Sequence, residues 1–341
     1  MLAVENAMPS KARILWSIQY FRAFSAIAVV VYHQLNSVSD AFLIAQHGVD
    51  VFFVISGFIM VMMTEDGRTT PADFALNRLV RIVPPYWLAT TMAYIMALEM
   101  TKTLYHPIDD PVFFVKSLAF FPSLNPYGVI QPTLYLGWTL QYEMFFCAIF
   151  AAILFISEGR LTILSIVLIG LVCLGAVLQP TGAIGRTYTD PLLLEFLAGA
   201  WVGKLFGADL RRSRSSAQIV GSVVIAAILV TASLLSSTLA FGGCAVLILA
   251  GGLLLERGNR LPRISWLKSL GDASFAIYLF QEFAFLTVLS FGLLPFLPLH
   301  PQDAPLLTKG ACILAAIGLG VAMWRYFERP TTIALRATLK T

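Results

Sequence analysis

Arg22 and His33 lie eleven positions apart within one apolar stretch, Ile18 to Leu35. At about 100° per residue, eleven steps make three turns plus roughly 20°, so both side chains fall on one helix face. With a rise of about 1.5 Å per residue they stand about 16 Å apart, half of a hydrocarbon core about 30 Å thick. Ionisable groups are costly in a lipid-spanning helix and usually face a cavity that carries chemistry or transport. An imidazole titrates near neutrality and suits a general base. A guanidinium offers a fork of N–H donors to an anion. Each also has a plainer reading. A lone histidine is often a satisfied structural hydrogen bonder, and an arginine near a helix end snorkels to the headgroups. Position alone leaves Arg22 open between the two.

The other ionisable groups inside apolar runs are Asp50, Glu143, Glu195 and Glu282. Glu143 ends the stretch Gly137-Trp138-Thr139-Leu140-Gln141-Tyr142-Glu143, in the outer half of its span. Running antiparallel to the first helix, it reaches the expected depth of His33. There a carboxylate would hold the imidazole in one tautomer and offset its protonated charge. The alternative is a neutral glutamic acid bonded to a neighbouring helix. Asp50 opens the run Val51-Phe52-Phe53-Val54-Ile55 and reads first as an anchor for the second span. Arg78 and Arg81, three apart before Ile82-Val83-Pro84-Pro85, project on neighbouring helix faces. They suit a phosphate clamp, set against ordinary positive charge at a cytoplasmic helix end. His33, Asp50 and Glu143 lack local ligand spacing, so no metal is implied.

Helices must position these groups, and the composition says in what solvent. Of 341 residues, 58% are hydrophobic and 12% charged, with a mean hydropathy of +0.80. A soluble domain carries roughly 25% charged residues. The chain therefore reads as an all-α, polytopic integral membrane protein. Glu5, Lys11 and Arg13 precede an apolar run long enough to span, so no cleavable signal peptide is expected. Cys147, Cys173, Cys244 and Cys312 sit in apolar runs without CxxC spacing and read as core residues.

Apolar runs between charged or Pro/Gly punctuation give ten expected spans: about 18–38, 48–64, 84–100, 134–156, 161–179, 190–206, 217–236, 239–255, 271–294 and 306–326. The short run 111–121 reads as a re-entrant or interfacial segment. With the N-terminus inside, nineteen of the 23 lysines and arginines fall on the cytoplasmic side. Only Lys102, Lys116, Arg186 and Lys309 fall outside, so the reading is N-in and C-in. Topology thus accounts for the net charge of +4, and no nucleic-acid partner is called for. The basic loops around Arg211-Arg212-Ser213-Arg214 and from Arg257 to Lys268 read as topology determinants. One membrane-embedded domain, with a core from about 18 to 330, is expected. The longest outer segment, about Thr101 to Thr133, holds five prolines with Tyr105, Phe113, Phe114 and Tyr127, a structured loop able to cover a cavity mouth.

Two rival classes share these features. A proton-coupled exporter of a glycan or lipid would use buried His and Glu as a relay, but it typically shows inverted repeats, which the sequence does not display. A catalytically inactive membrane sensor is the third reading.

Four motifs in order then resemble the membrane-bound acyltransferase family 3: Arg22-x10-His33, the run from Gly48-Val49-Asp50 to Ser56-Gly57-Phe58, Arg78-x-x-Arg81, and Trp138-Thr139-Leu140-x-x-Glu143. Ile18-Gln19-Tyr20-Phe21-Arg22 is similar to its exopolysaccharide-acetylating, ExoZ-type branch, and the likeness runs from about Gln19 to Pro330. The resemblance implies transfer of an acyl group, usually acetyl, from acetyl-coenzyme A in the cytosol to a hydroxyl of an extracytoplasmic or lipid-linked saccharide. It implies His33 as the essential histidine with Arg22 as its partner, Arg78 and Arg81 as donor-handling residues, and Trp138 and Glu143 as parts of the fourth-span motif. It also implies a bacterial inner membrane and association with polysaccharide synthesis or export machinery. The family's late motif often ends in histidine, where this chain has Gln281. An amide there is expected to bind a sugar hydroxyl rather than to move protons.

Overall fold

The computed structural model describes residues 15–65, 67–99, 110–206, 215–232, 239–290 and 305–339. Lys11, Arg13, the stretch from Thr101 to Asp109 and the basic loop Arg211–Arg214 lie outside them. The described chain is nearly all helix; its one strand-like pairing is the bridge between Leu124 and Ile130. Helix α1 spans Trp16–Leu35, and a 3-10 segment, Asp40–His47, leads into α2, Gly48–Thr64. α3 runs Pro71–Glu99, and a short α4, Pro111–Leu118, precedes α5, Trp138–Ile153. Then follow α6 (Arg160–Leu178), α7 (Ala183–Tyr188) and α8 (Leu193–Phe206). α9 (Ser215–Ala232), α10 (Leu239–Arg257), α11 (Ser265–Asp272) and α12 (Ser274–Ser290) come next. α13 (Leu306–Met323) continues through a π-helical turn, Trp324–Glu328, into α14 (Arg329–Thr338).

Within the described residues the ten expected stretches overlap helices, and 217–236 and 271–294 run past what is described. Among the described residues, five segments are long and apolar enough to cross a membrane: Asp40–Thr64, Tyr135–Ile153, Arg160–Leu178, Leu239–Arg257 and Leu306–Thr338. α1 is not among them, although it has 20 residues. Gln19, Arg22 and His33 lower its hydropathy, so apolarity alone misses the helix that carries the suspected chemistry. The segment 111–121 folds as α4, capped at its start by the Asp110 side chain, which accepts from Val112 N–H at 2.8 Å.

The closest packing joins α2 to α8. A Cβ on Gly57 would meet the Phe196 carbonyl oxygen at 1.9 Å, and one on Gly199 would meet the Val54 carbonyl oxygen at 1.9 Å. Only hydrogen fits at either position, and Gly199 with Gly203 makes the small-xxx-small spacing that lets helix backbones touch. Aromatic rings then fill the next layer. Phe53, Phe146 and Phe196 stack in a buried group, and Phe74 meets Phe150 at 5.1 Å.

α3 begins well before the expected span 84–100, and one helix continues through both Pro84 and Pro85. Proline lacks an N–H, so the carbonyls of Val80 and Arg81 lose their helical donors. Membrane helices tolerate this where neighbours or polar groups supply replacements. The result joins Arg78 and Arg81 rigidly to the span that follows them.

Candidate active site

Glu256, at the end of α10, fixes the depth of α1. Its carboxylate accepts from Trp16 N–H at 2.9 Å, from Ser17 N–H at 3.0 Å and from the Ser17 hydroxyl at 2.6 Å. These are orphan donors at a helix start, and an anion there also complements the helix dipole. Farther along, the Tyr20 hydroxyl donates to the Pro262 carbonyl at 2.6 Å. At the far end Lys309 donates to the Ser37 hydroxyl at 2.6 Å. Arg22 is thereby held inside the protein, 8% exposed. It does not snorkel.

Arg22 opens into a cavity of about 70 Å³ between α1, α2, α3, α5 and α12. Its polar lining includes Arg22, Ser56, Arg78, Arg81, Glu143 and Tyr278. Three guanidinium groups thus face one lining carboxylate in an apolar setting. Glu143 Oε1 lies 3.6 Å from Arg78 Nη1 and accepts from the Ser56 hydroxyl at 3.3 Å. Ser56 points this way because its neighbour Gly57 is pressed against α8. Arg78 is 5% exposed, and its Nε and Nη2 are buried with no hydrogen-bond acceptor among the described residues. Orphaned donors on a buried cation are expensive, and an anionic ligand is the natural acceptor for them.

Glu328 balances part of this charge and was not singled out from the sequence. It lies in the π-helical turn, buried, within electrostatic reach of both Arg22 and Arg81, and it accepts from Ala276 N–H in the first turn of α12. In sequence it sits between Arg325 and Arg329 and reads as one charge among several in a basic tail. The signal that could have found it is the turn itself, since π-helical insertions gather at functional sites.

His33 belongs to a second cluster, toward the C-terminal end of α1. Its ring meets Tyr135 edge-on, with centroids 5.7 Å apart and planes at 90°, and touches Tyr32 at 5.0 Å. Tyr135 precedes Glu143 by eight residues, about 12 Å at helical rise. The expected pairing of Glu143 with His33 is therefore corrected: Glu143 sits a level deeper and takes Arg78 and Ser56 as partners. Glu282 lies within electrostatic reach of Tyr135 and Tyr278. Tyr278 links the two levels: its hydroxyl bonds Thr139 at 2.9 Å and donates to the Leu136 carbonyl at 3.0 Å while its ring lines the cavity.

The remaining sequence candidates lie away from the cavity. Trp138 packs edge-on against Phe53 and Tyr142 in the aromatic core. Gln281, 1% exposed, donates through Nε2 to the Tyr278 carbonyl at 2.9 Å. Asp50 accepts from or donates to His47 Nδ1 at 3.0 Å at the start of α2, as an anchor would. Among the described residues no cluster of His, Cys, Asp and Glu has a metal-holding arrangement.

The acyltransferase-domain family matches residues 15–325. The chain belongs to that family. It is similar to the exopolysaccharide production protein ExoZ of Rhizobium meliloti, 36% identical over 314 residues that cover 88% of this chain and 94% of the relative. It is also similar to the O-acetyltransferase OatA of Staphylococcus aureus, 27% identical over 62% of this chain and 38% of the relative. The peptidoglycan O-acetyltransferase OatA of Listeria monocytogenes is 26% identical over 78% of this chain and 48% of that protein. The chain thus spans half or less of either OatA. No solved structure matches it. By family and relatives, this acyltransferase is an O-acyltransferase.

Proposed function

We propose that this acyltransferase moves an acetyl group from acetyl-coenzyme A onto a hydroxyl of an exopolysaccharide or another cell-surface glycan, across a bacterial inner membrane that it crosses ten times with both termini in the cytoplasm. The observation that carries the donor side is Arg78, buried with two orphaned N–H donors beside Arg22 and Arg81. Such a group fits the phosphates of a coenzyme A thioester, bound by charge-assisted hydrogen bonds. The acceptor side rests on the likeness to ExoZ and to the two OatA proteins.

In this reading the coenzyme enters from the cytoplasmic end, its phosphates on Arg78, Arg81 and Arg22. Its extended arm carries the thioester about 16 Å outward along α1 to His33. The glycan hydroxyl arrives from the outside. As its oxygen attacks the thioester carbonyl carbon, His33 takes its proton; the carbon–sulfur bond breaks, and the departing sulfur recovers the proton as a thiol. Glu143 acts through Arg78 as a positioning residue. No metal is needed in this scheme.

The test uses the full chain in lipid nanodiscs with acetyl-labelled coenzyme A and an oligosaccharide acceptor. Acceptor-dependent label transfer is expected from the wild type and not from His33→Ala. Equal transfer by both would remove His33 from the chemistry; acceptor movement without acylation would favour an exporter.

A further inference from the structure

A second cavity, of about 360 Å³, lies where the ends of α2, α5 and α8 meet the start of α6. It shares no lining residue with the arginine cavity. Its walls are apolar where they face the bilayer interior, with Phe150 and Leu164 among them, and charged at the rim. Arg160 uses its Nε on the Ile156 carbonyl at 2.6 Å and its Nη2 on the Leu154 carbonyl at 3.3 Å. A guanidinium has five N–H donors, so others remain for an anion. Opposite, Lys204 Nζ lies 3.7 Å from Glu65 Oε1. Glu65 Oε2 is buried and has no hydrogen-bond donor among the described residues. Trp201 stands at the rim, 37% exposed, its indole N–H on the Ser165 hydroxyl at 3.1 Å. Beside the cavity the outer face of α6 is apolar and bare, with Ile166 67% and Ile169 48% exposed.

These features specify a ligand. It carries an anion for Arg160 and Lys204, an N–H donor for Glu65, and apolar tails for the α6 face. We propose that the cavity is a phospholipid site of the leaflet that charge asymmetry assigns to the cytoplasm, and that its occupant is phosphatidylethanolamine. The phosphate sits between the two cations, and the primary ammonium donates to Glu65 Oε2. Phosphatidylcholine has the same charges but no N–H to give. Phosphatidylglycerol offers only neutral hydroxyls where the buried Glu65 oxygen calls for a cationic donor. A headgroup-level tryptophan and cytoplasmic-side basic residues between helices are the usual surroundings of a bound lipid head.

The experiment strips the full-length protein of lipid in mild detergent. Phosphatidylethanolamine, phosphatidylcholine or phosphatidylglycerol with identical acyl chains is then added, and retention is read by native mass spectrometry. Phosphatidylethanolamine is expected to be retained about tenfold more than either competitor, tenfold being about 1.4 kcal/mol. Lys204→Glu, a change at a side chain 59% exposed and therefore safe for folding, should lower its retention about tenfold. Glu65→Gln should bring phosphatidylethanolamine down to the level of phosphatidylcholine. Equal retention of the two zwitterionic lipids by the wild type would overturn the proposal. So would a preference for phosphatidylglycerol, unchanged retention in both variants, or a dimer whose interface closes the cavity.

Discussion

The carboxylate of Glu143 stands 3.6 Å from a guanidinium nitrogen of Arg78, and both groups face one cavity. A buried cation with a single ion-pair partner and two orphaned N–H groups is poised rather than satisfied. If Glu143 orients Arg78 for the donor, the two residues act as one unit. Arg78→Lys should raise KM for acetyl-coenzyme A about tenfold, because a lysine cannot reproduce the fork. Glu143→Gln should raise it less, and the double variant should show a coupling of about 1 kcal/mol in donor KM. Additive effects would mean that Glu143 works elsewhere.

His33→Ala should lower kcat about 10²–10⁴-fold, the usual contribution of a general base, with little change in donor KM. Label transfer under saturating donor measures this. A change confined to KM would make His33 a binding residue only.

Glu328→Gln removes the charge that acts on Arg22 and Arg81 while keeping an acceptor for Ala276 N–H. Donor binding should tighten or hold, since the cavity becomes more positive, and the melting temperature should fall by only a few degrees. Calorimetric titration with coenzyme A reads the first effect. Loss of binding with an unchanged fold would show that Glu328 shapes the cavity rather than merely balancing it.

Gly199→Ala places a methyl group 1.9 Å from the Val54 carbonyl oxygen. Backbone cannot give way as a side-chain tip can, so α2 and α8 must separate, at a cost of about 3 kcal/mol. A large fall in thermal stability in detergent is expected, with lost activity as a secondary effect because Ser56 moves with α2. A variant as stable as the wild type would contradict the close crossing.

Val129→Cys and Glu158→Cys, each made in a background lacking the four native cysteines, test sidedness. Both positions are exposed. A membrane-impermeant thiol reagent applied to intact cells should label Cys at 129 and not at 158. The reverse pattern, or labelling of both, would break the ten-span, N-in topology.

Much of the site was legible before any coordinates. Arg22 was found because charge inside apolar sequence is costly enough to need a reason, and Arg78 with Arg81 because two arginines three apart beside a helix start suit a phosphate. The helices were found because the bilayer leaves few other ways to satisfy a backbone. The partners of Glu143 were not legible: sequence gives a residue's place along its own helix, but not which neighbouring helices it meets, and Glu143 meets Arg78 of α3 and Ser56 of α2. Trp138 and Gln281 were reached through the family's motifs; Trp138 packs its ring among Phe53 and Tyr142, whereas Gln281 gives its Nε2 to the Tyr278 carbonyl and keeps Oε1 buried without a donor among the described residues. Glu328 and Tyr135 stayed hidden because their partners are far away in sequence.

The pinning of α1 has one more consequence. Held by Glu256 at one end and by Lys309 through Ser37 at the other, the helix cannot slide, so the interval between Arg22 and His33 works as a ruler. A donor gripped by its phosphates must bring a carrier arm of matching length. Acetyl thioesters of short thiols would reach one mark or the other, never both, and discrimination against them would come from distance alone.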